Sequence, residues 1–116
     1  MSPETISWEH FSKVDIRVGR ILEVNDFPEA RKPSYKVKVD FGPEIGTRMS
    51  SVQARKEYSK ADLVDKQVLG VVNFPPKRIA NFDSEVLLLG VPLDADGSLS
   101  LLEPSRKPAK LGGRVY

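Results

Sequence analysis

The 116 residues contain no cysteine, so the chain has neither a disulfide framework nor a thiolate centre. That composition fits a cytoplasmic location. Histidine occurs once, at His10, with no second imidazole or thiolate to complete a zinc-type site. It reads as a helix-surface residue, and no metal or cofactor is expected. No apolar run approaches the roughly 18 residues that cross a bilayer, so membrane insertion is not expected. The start, Met1-Ser2-Pro3-Glu4-Thr5, lacks the basic-then-apolar layout of a signal peptide. Neither a G-x-S-x-G elbow nor a phosphate-binding glycine loop is present. Ser50 or Ser51 would need a neighbouring base to act as a nucleophile, and the sequence identifies none. The expectation is a binding protein, not an enzyme.

What is present suits one soluble domain over 1–116, with 40% hydrophobic and 29% charged residues. Its expected parts are an N-terminal helix (1–13), a barrel (14–103) and a C-terminal extension (104–116). A net charge of +2 is too small to imply nucleic acid by itself. The distribution is more informative. Arg31, Lys32, Lys36 and Lys38 share a stretch free of acids, Lys77 and Arg78 form a second basic spot, and Arg106, Lys107, Lys110 and Arg114 a third. Such asymmetry either builds a local positive potential or leaves scattered solvated cations.

Ser7 is an N-cap candidate for a helix over Ile6 to Phe11, with Ile6 and Phe11 placed as a hydrophobic staple. Trp8 and Phe11 share a face of that helix and must cover the domain's own core or a second copy of the chain. Val14, Ile16, Val18, Leu22 and Val24 alternate with Asp15, Arg17, Glu23 and Asn25, which predicts a first strand buried on one face. Arg20 and Ile21 break the pattern just after Gly19, which suggests a bulge or bend that lets this strand serve both halves of a closed sheet. Tyr35, Val37, Val39 and Phe41 predict a second strand, with Lys36, Lys38 and Asp40 outside. A hairpin-type loop at 42–46 leads to a third, about Thr47 to Gln53. Its Ser50, Ser51 and Gln53 offer hydrogen bonds to a ligand, or lie at a sheet edge.

Ser59-Lys60-Ala61-Asp62 resembles a capping box for a short helix ending near Lys66, with Leu63 and Val64 opening its apolar face. The apolar runs Val68–Val72 and Val86–Leu89 predict strands four and five, buried on both faces. Asp94-Ala95-Asp96-Gly97 reads as a plain turn, because it lacks the further ligands of a calcium loop. A last short strand, Ser98 to Leu102, follows. The end of the chain, 111–116, is either mobile or docked with Val115 and Tyr116 inward.

Between strands four and five lies Asn73-Phe74-Pro75-Pro76-Lys77-Arg78-Ile79-Ala80-Asn81-Phe82-Asp83-Ser84. Its prolines predict a loop stiffened without pairing into a sheet. The loop either holds a ligand or is an ordinary crossover whose cations face water.

Three strands, a short helix and two strands, with a bent first strand, match an all-β, five-stranded oligonucleotide/oligosaccharide-binding (OB) barrel. Ligands on that fold usually meet strands two and three and the loops around them. This would gather Arg31, Lys32, Lys36, Arg48, Ser51 and Gln53 beside Asn73, Phe74, Lys77, Arg78 and Ser84. Coordinates that put Lys77 and Arg78 on the far side from Arg31, Lys36 and Gln53 would contradict it.

Val14-Asp15-Ile16-Arg17-Val18-Gly19-Arg20-Ile21, Asn73 to Ile79 and Ser84-Glu85 resemble the tRNA-binding-domain family of OB folds. Phe27 to Pro33, Ser50-Ser51-Val52-Gln53 and Asn73 to Lys77 resemble its CsaA branch of secretion chaperones more closely. The resemblance implies a cytoplasmic homodimer joined through the N-terminal helix and C-terminal segment. It also implies a role in holding unfolded precursor proteins for export, with tRNA as the alternative partner. Main-chain pairing along a barrel edge would give a holding chaperone its tolerance of sequence. In that reading Phe74 and nearby apolar residues line a groove, while Lys77, Arg78 and Arg31 attract acidic or polar parts of the peptide. In the RNA reading the same cations contact phosphates, and Phe74 or Phe82 stacks on a base.

Overall fold

The computed structural model describes residues 3–94 and 98–116. In chain order its elements are α1 (Trp8–Ser12), β1 (Ile16–Asp26), β2 (Tyr35–Asp40), α2 (Gly42–Ile45), β3 (Thr47–Val52) and α3 (Lys60–Leu63). There follow β4 (Gln67–Val71), β5 (Lys77–Ile79), β6 (Phe82–Ser84), β7 (Leu87–Leu88), β8 (Gly90–Pro92) and β9 (Leu99–Leu101). One antiparallel sheet runs β3-β2-β1-β4-β7. Its two edges meet where the buried hydroxyl of Ser50 donates to the Val86 carbonyl at 3.0 Å, which all but closes the barrel. The fold is the all-β OB type.

β1 serves both halves of the barrel, as its length suggests. Ile16 to Arg20 pair with β4, and Arg20 to Asp26 pair with β2. Leu22 does not take the buried place that the alternation predicts for it. Ile21, ahead of a register shift that ends at Glu23, is fully in the core, Leu22 at the shift is 40% exposed, and Val24 beyond it packs against the core again. An extra residue in one strand flips every side chain after it. The bulge therefore sits at Leu22 and not at Gly19. Gly19 has a different task, because its backbone passes against the Phe41 ring and Val39.

β2 keeps its alternation, with Tyr35, Val37 and Val39 buried and Phe41 packed beneath them. Leu63 and Val68 complete the centre of the core. Burying each such side chain contributes about 1.5–3 kcal/mol. The 42–46 segment forms one helical turn, α2, instead of a plain hairpin loop. Pro43 suits the first turn of a helix, and Asp40 accepts the Gly42 amide at 2.8 Å.

Both predicted caps form. The Ser7 hydroxyl accepts the His10 amide, and the His10 ring accepts the Ser7 amide in return. The hydroxyl of Ser59 accepts the Asp62 amide, and Asp62 accepts the Ser59 amide at 2.8 Å. α3 stops at Leu63, short of Lys66, and Val64 stands 41% exposed. Strand five is also shorter than predicted. Leu87 faces outward between buried Val86 and Leu88, so burial on both faces fails there. The chain continues into a hairpin of β8 with β9. Residues 95–97 of the expected acidic turn lie outside the described residues.

The C-terminal segment docks along β1, where the Gly112 amide donates to the Val18 carbonyl and the Val115 amide to that of Ile16, both at 2.8 Å. Arg17 fastens it, donating to the Gly112 carbonyl and pairing with Asp15 at 2.6 Å. The hydrogen bond to Asp15 raises the Arg17 pKa further still. Tyr116 remains outside.

Candidate binding groove

The stretch that follows β4 is anchored before it projects. The Asn73 side chain accepts the Asp15 amide at 3.0 Å and donates to the Lys13 carbonyl at 2.7 Å. Asn73 thus ties the loop to the chain ahead of β1. Phe74, Pro75 and Pro76 then pass over the surface, all exposed. Beyond them the loop is paired after all. Lys77, Arg78 and Ile79 face Ser84, Asp83 and Phe82 across a hairpin whose two-residue turn holds Ala80 at φ 53. Both prolines precede β5, so their missing amides cost this ladder nothing. Directly opposed in it, Arg78 and Asp83 form an ion pair at 2.9 Å.

Side chains hold the hairpin and the segment after it against β3. Ser84 Oγ accepts the Ser51 amide at 3.1 Å, and Glu85 Oε1 accepts the Met49 amide at 2.9 Å. The Glu85 amide donates to the Met49 carbonyl at 2.8 Å. Between the hairpin, β3, β7 and β9 lies an open groove of about 550 Å³, within the usual range for ligand sites. Ile79, Val86, Leu88 and Leu99 supply apolar lining. Phe74, 51% exposed, and Leu87, 50% exposed, add large apolar surface. Polar groups are few: Ser51, Gln53 and Ser84 beside Lys77 and the already bonded Glu85.

Lys36 stands beside this wall but is engaged. Its ammonium lies over the rings of Phe27 and Phe82, which meet edge to face with centroids 5.4 Å apart. Arg31 and Lys32 line a second, shallower pocket of about 460 Å³ with Arg55 and Lys56. Phe27 also lines it, so the basic pocket and the hairpin wall border the same aromatic stack. Arg48 lies apart. It shares a strand face with buried Ser50 and Val52, and bonds the Thr47 carbonyl at 3.2 Å.

Of the residues singled out in the sequence, Ser51, Gln53, Phe74, Lys77 and Ser84 therefore share the groove. Arg31 and Lys32 occupy the neighbouring basic pocket, and Lys36 forms part of the stack that both border. Asn73 anchors, Arg78 pairs with Asp83, and Arg48 does not line the groove. Leu87 and Leu99 were missed because apolar runs read as core. Arg55 and Lys56 carried only their charge as a signal, just past strand three.

The Ser50 proton is directed at main-chain carbonyls, and the single histidine caps α1. Among the described residues, no group of His, Asp or Glu is arranged to hold a metal.

The architecture defines a class: an OB barrel with an open, mostly apolar groove beside it. The chain belongs to the putative tRNA-binding-domain family, whose model matches residues 16–113. It is 40% identical over 110 residues to the methionine–tRNA ligase of Pyrococcus furiosus, covering 95% of this chain and 14% of that one. The chain spans about one-seventh of the length of such curated relatives. Two solved structures are similar throughout. The CsaA chaperone protein from Picrophilus torridus superposes with a TM-score of 0.87 at 47% identity, covering 97% of this chain and all of that one. Chaperone CsaA from Bacillus anthracis strain Ames gives 0.90 at 39% identity, again over 97% of this chain and all of that one.

Proposed function

We propose that this chain is a CsaA-like holding chaperone that takes unfolded precursor polypeptides into the groove in the cytoplasm and keeps them competent for export. One observation carries the reading: the groove is predominantly apolar, and Phe74 and Leu87 are both about half exposed. Exposed apolar surface rimmed by polar groups marks interaction sites. The test is anisotropy titration with a labelled, reduced and alkylated polypeptide. Phe74→Ser should weaken binding by about tenfold or more, the equivalent of losing one large apolar contact. An unchanged affinity would remove the groove from this role.

A homodimer belongs to the same proposal. Trp8, 68% exposed, and Tyr116, 98% exposed, flank a small apolar pocket with Phe11 and Val115, a surface suited to cover by a second copy. Light scattering at micromolar concentration tests it, and a monomer would contradict it.

The basic pocket of Arg31, Lys32, Arg55 and Lys56 supports a second reading, tRNA binding, because phosphate contacts need clustered cations. Competition between the unfolded polypeptide and tRNA at two salt concentrations separates the readings. RNA affinity should fall steeply with salt, and polypeptide affinity should change little.

A further inference from the structure

An extended polypeptide can be held in two ways beside a barrel. It can add a strand to an open edge through main-chain bonds, or seat its side chains in a groove. Strand addition was the sequence-based expectation here, and the edge it would use is β3, the longest strand bordering the groove. At Met49 and Ser51 that edge is already occupied. Its outward amides at Met49 and Ser51 donate to Glu85 Oε1 and Ser84 Oγ. The Met49 carbonyl receives the Glu85 amide at 2.8 Å. Side chains of the 84–85 segment thus occupy the positions that an added strand would take.

Other strands around the groove offer little replacement. β5 and β9 have three residues each and β7 has two. Edge strands that short are one of the ways proteins prevent strand addition. Apolar surface is what the groove retains, from Phe74 and Ile79 to Leu87 and Leu99.

We propose that the groove grips polypeptide through apolar side chains alone, with Ser84 and Glu85 blocking strand addition at β3. The proposal rests on the holding-chaperone reading and specifies how its client is recognised. Clients would then be chosen by the density of apolar side chains along an extended segment, with no demand on main-chain amides. A segment rich in proline would be accepted as readily as one without it.

Three short fluorescein-labelled peptides test the proposal on the unaltered protein. The parent alternates leucine and serine between terminal aspartates. One analogue replaces alternate amides by esters, which removes main-chain donors and weakens the neighbouring acceptors. The other replaces each leucine by alanine. The ester analogue is expected to bind within about twofold of the parent, since each ladder bond removed would otherwise cost about two- to tenfold. The alanine analogue should bind at least about tenfold more weakly. A parent that binds while its ester analogue is lost would overturn this proposal and leave the chaperone reading standing. Failure of the parent itself to bind would overturn both.

Discussion

The ammonium of Lys36 lies 5.6 Å from the ring centre of Phe82. The Phe27 ring takes the same ammonium at 5.1 Å, so a β2 cation links the β1–β2 loop to the β5–β6 hairpin. Lys36 acts here as a positioning residue. Lys36→Met keeps the aliphatic stem and loses the charge, and should destabilise the protein by about 0.5–2 kcal/mol. Urea unfolding measures this. The variant should leave the salt dependence of RNA binding unchanged; a slope reduced by about one would show that Lys36 reaches a phosphate.

Lys77 and Arg78 are neighbours with different prospects. Arg78 is paired with Asp83, both more than half exposed, so Arg78→Ala should cost no more than about 1 kcal/mol of stability. Lys77 lines the groove and has no ion-pair partner among the described residues. In Lys77→Ala the affinity for RNA should fall and its salt slope drop by about one. Affinity for an unfolded apolar polypeptide should change by less than about threefold, as for any exposed charge. Titrations at several salt concentrations decide both parts, and equal losses for the two ligands would mean that they share Lys77.

The barrel was legible because period-two patterning is strong in Tyr35, Val37, Val39 and Phe41, and because both serine caps carry their partners at the required spacing. Leu22 was placed on the buried face because a one-residue insertion changes the parity of a strand without changing its composition. The hairpin was hidden for another reason. Pro75 and Pro76 suggested an unpaired loop, yet pairing starts at Lys77, where the amides resume. Individual cations were harder to judge, since charge in a sequence does not say whether a ring or a carboxylate already holds it. Lys36 and Arg78 are both engaged in that way.

Glu103 sets part of the acid limb of stability. Hydrogen bonds from Lys107 and then Lys66, the latter at 2.8 Å, hold its carboxyl below the ordinary value of 4.5. The unfolded chain therefore takes up this proton first as pH falls. The contribution is complete above the ordinary value and disappears as pH drops through the lowered folded value. Asp62, lowered chiefly by the Ser59 amide, adds to the same window. Glu103→Gln should therefore lose less stability than the parent between neutral pH and about pH 3, without becoming pH-independent. Urea midpoints across that range report it, and parallel curves for the two proteins would contradict the assignment.

The bend in β1 can be tested by three substitutions at adjoining positions. Ile21→Ala removes a fully buried side chain and should cost about 2–5 kcal/mol. Leu22→Ala acts on the outward residue at the register shift, and should cost well under half as much. Gly19→Ala would place a Cβ 2.6 Å from Cγ1 of Val39 and 2.8 Å from Cε1 of Phe41. Both neighbours are fully buried and have no room to retreat, so overpacking should cost about 1–3 kcal/mol. Denaturant midpoints provide the ranking. Equal costs at Ile21 and Leu22 would mean that the strand does not change face between them, and a neutral Gly19→Ala would mean that Phe41 can move away from β1.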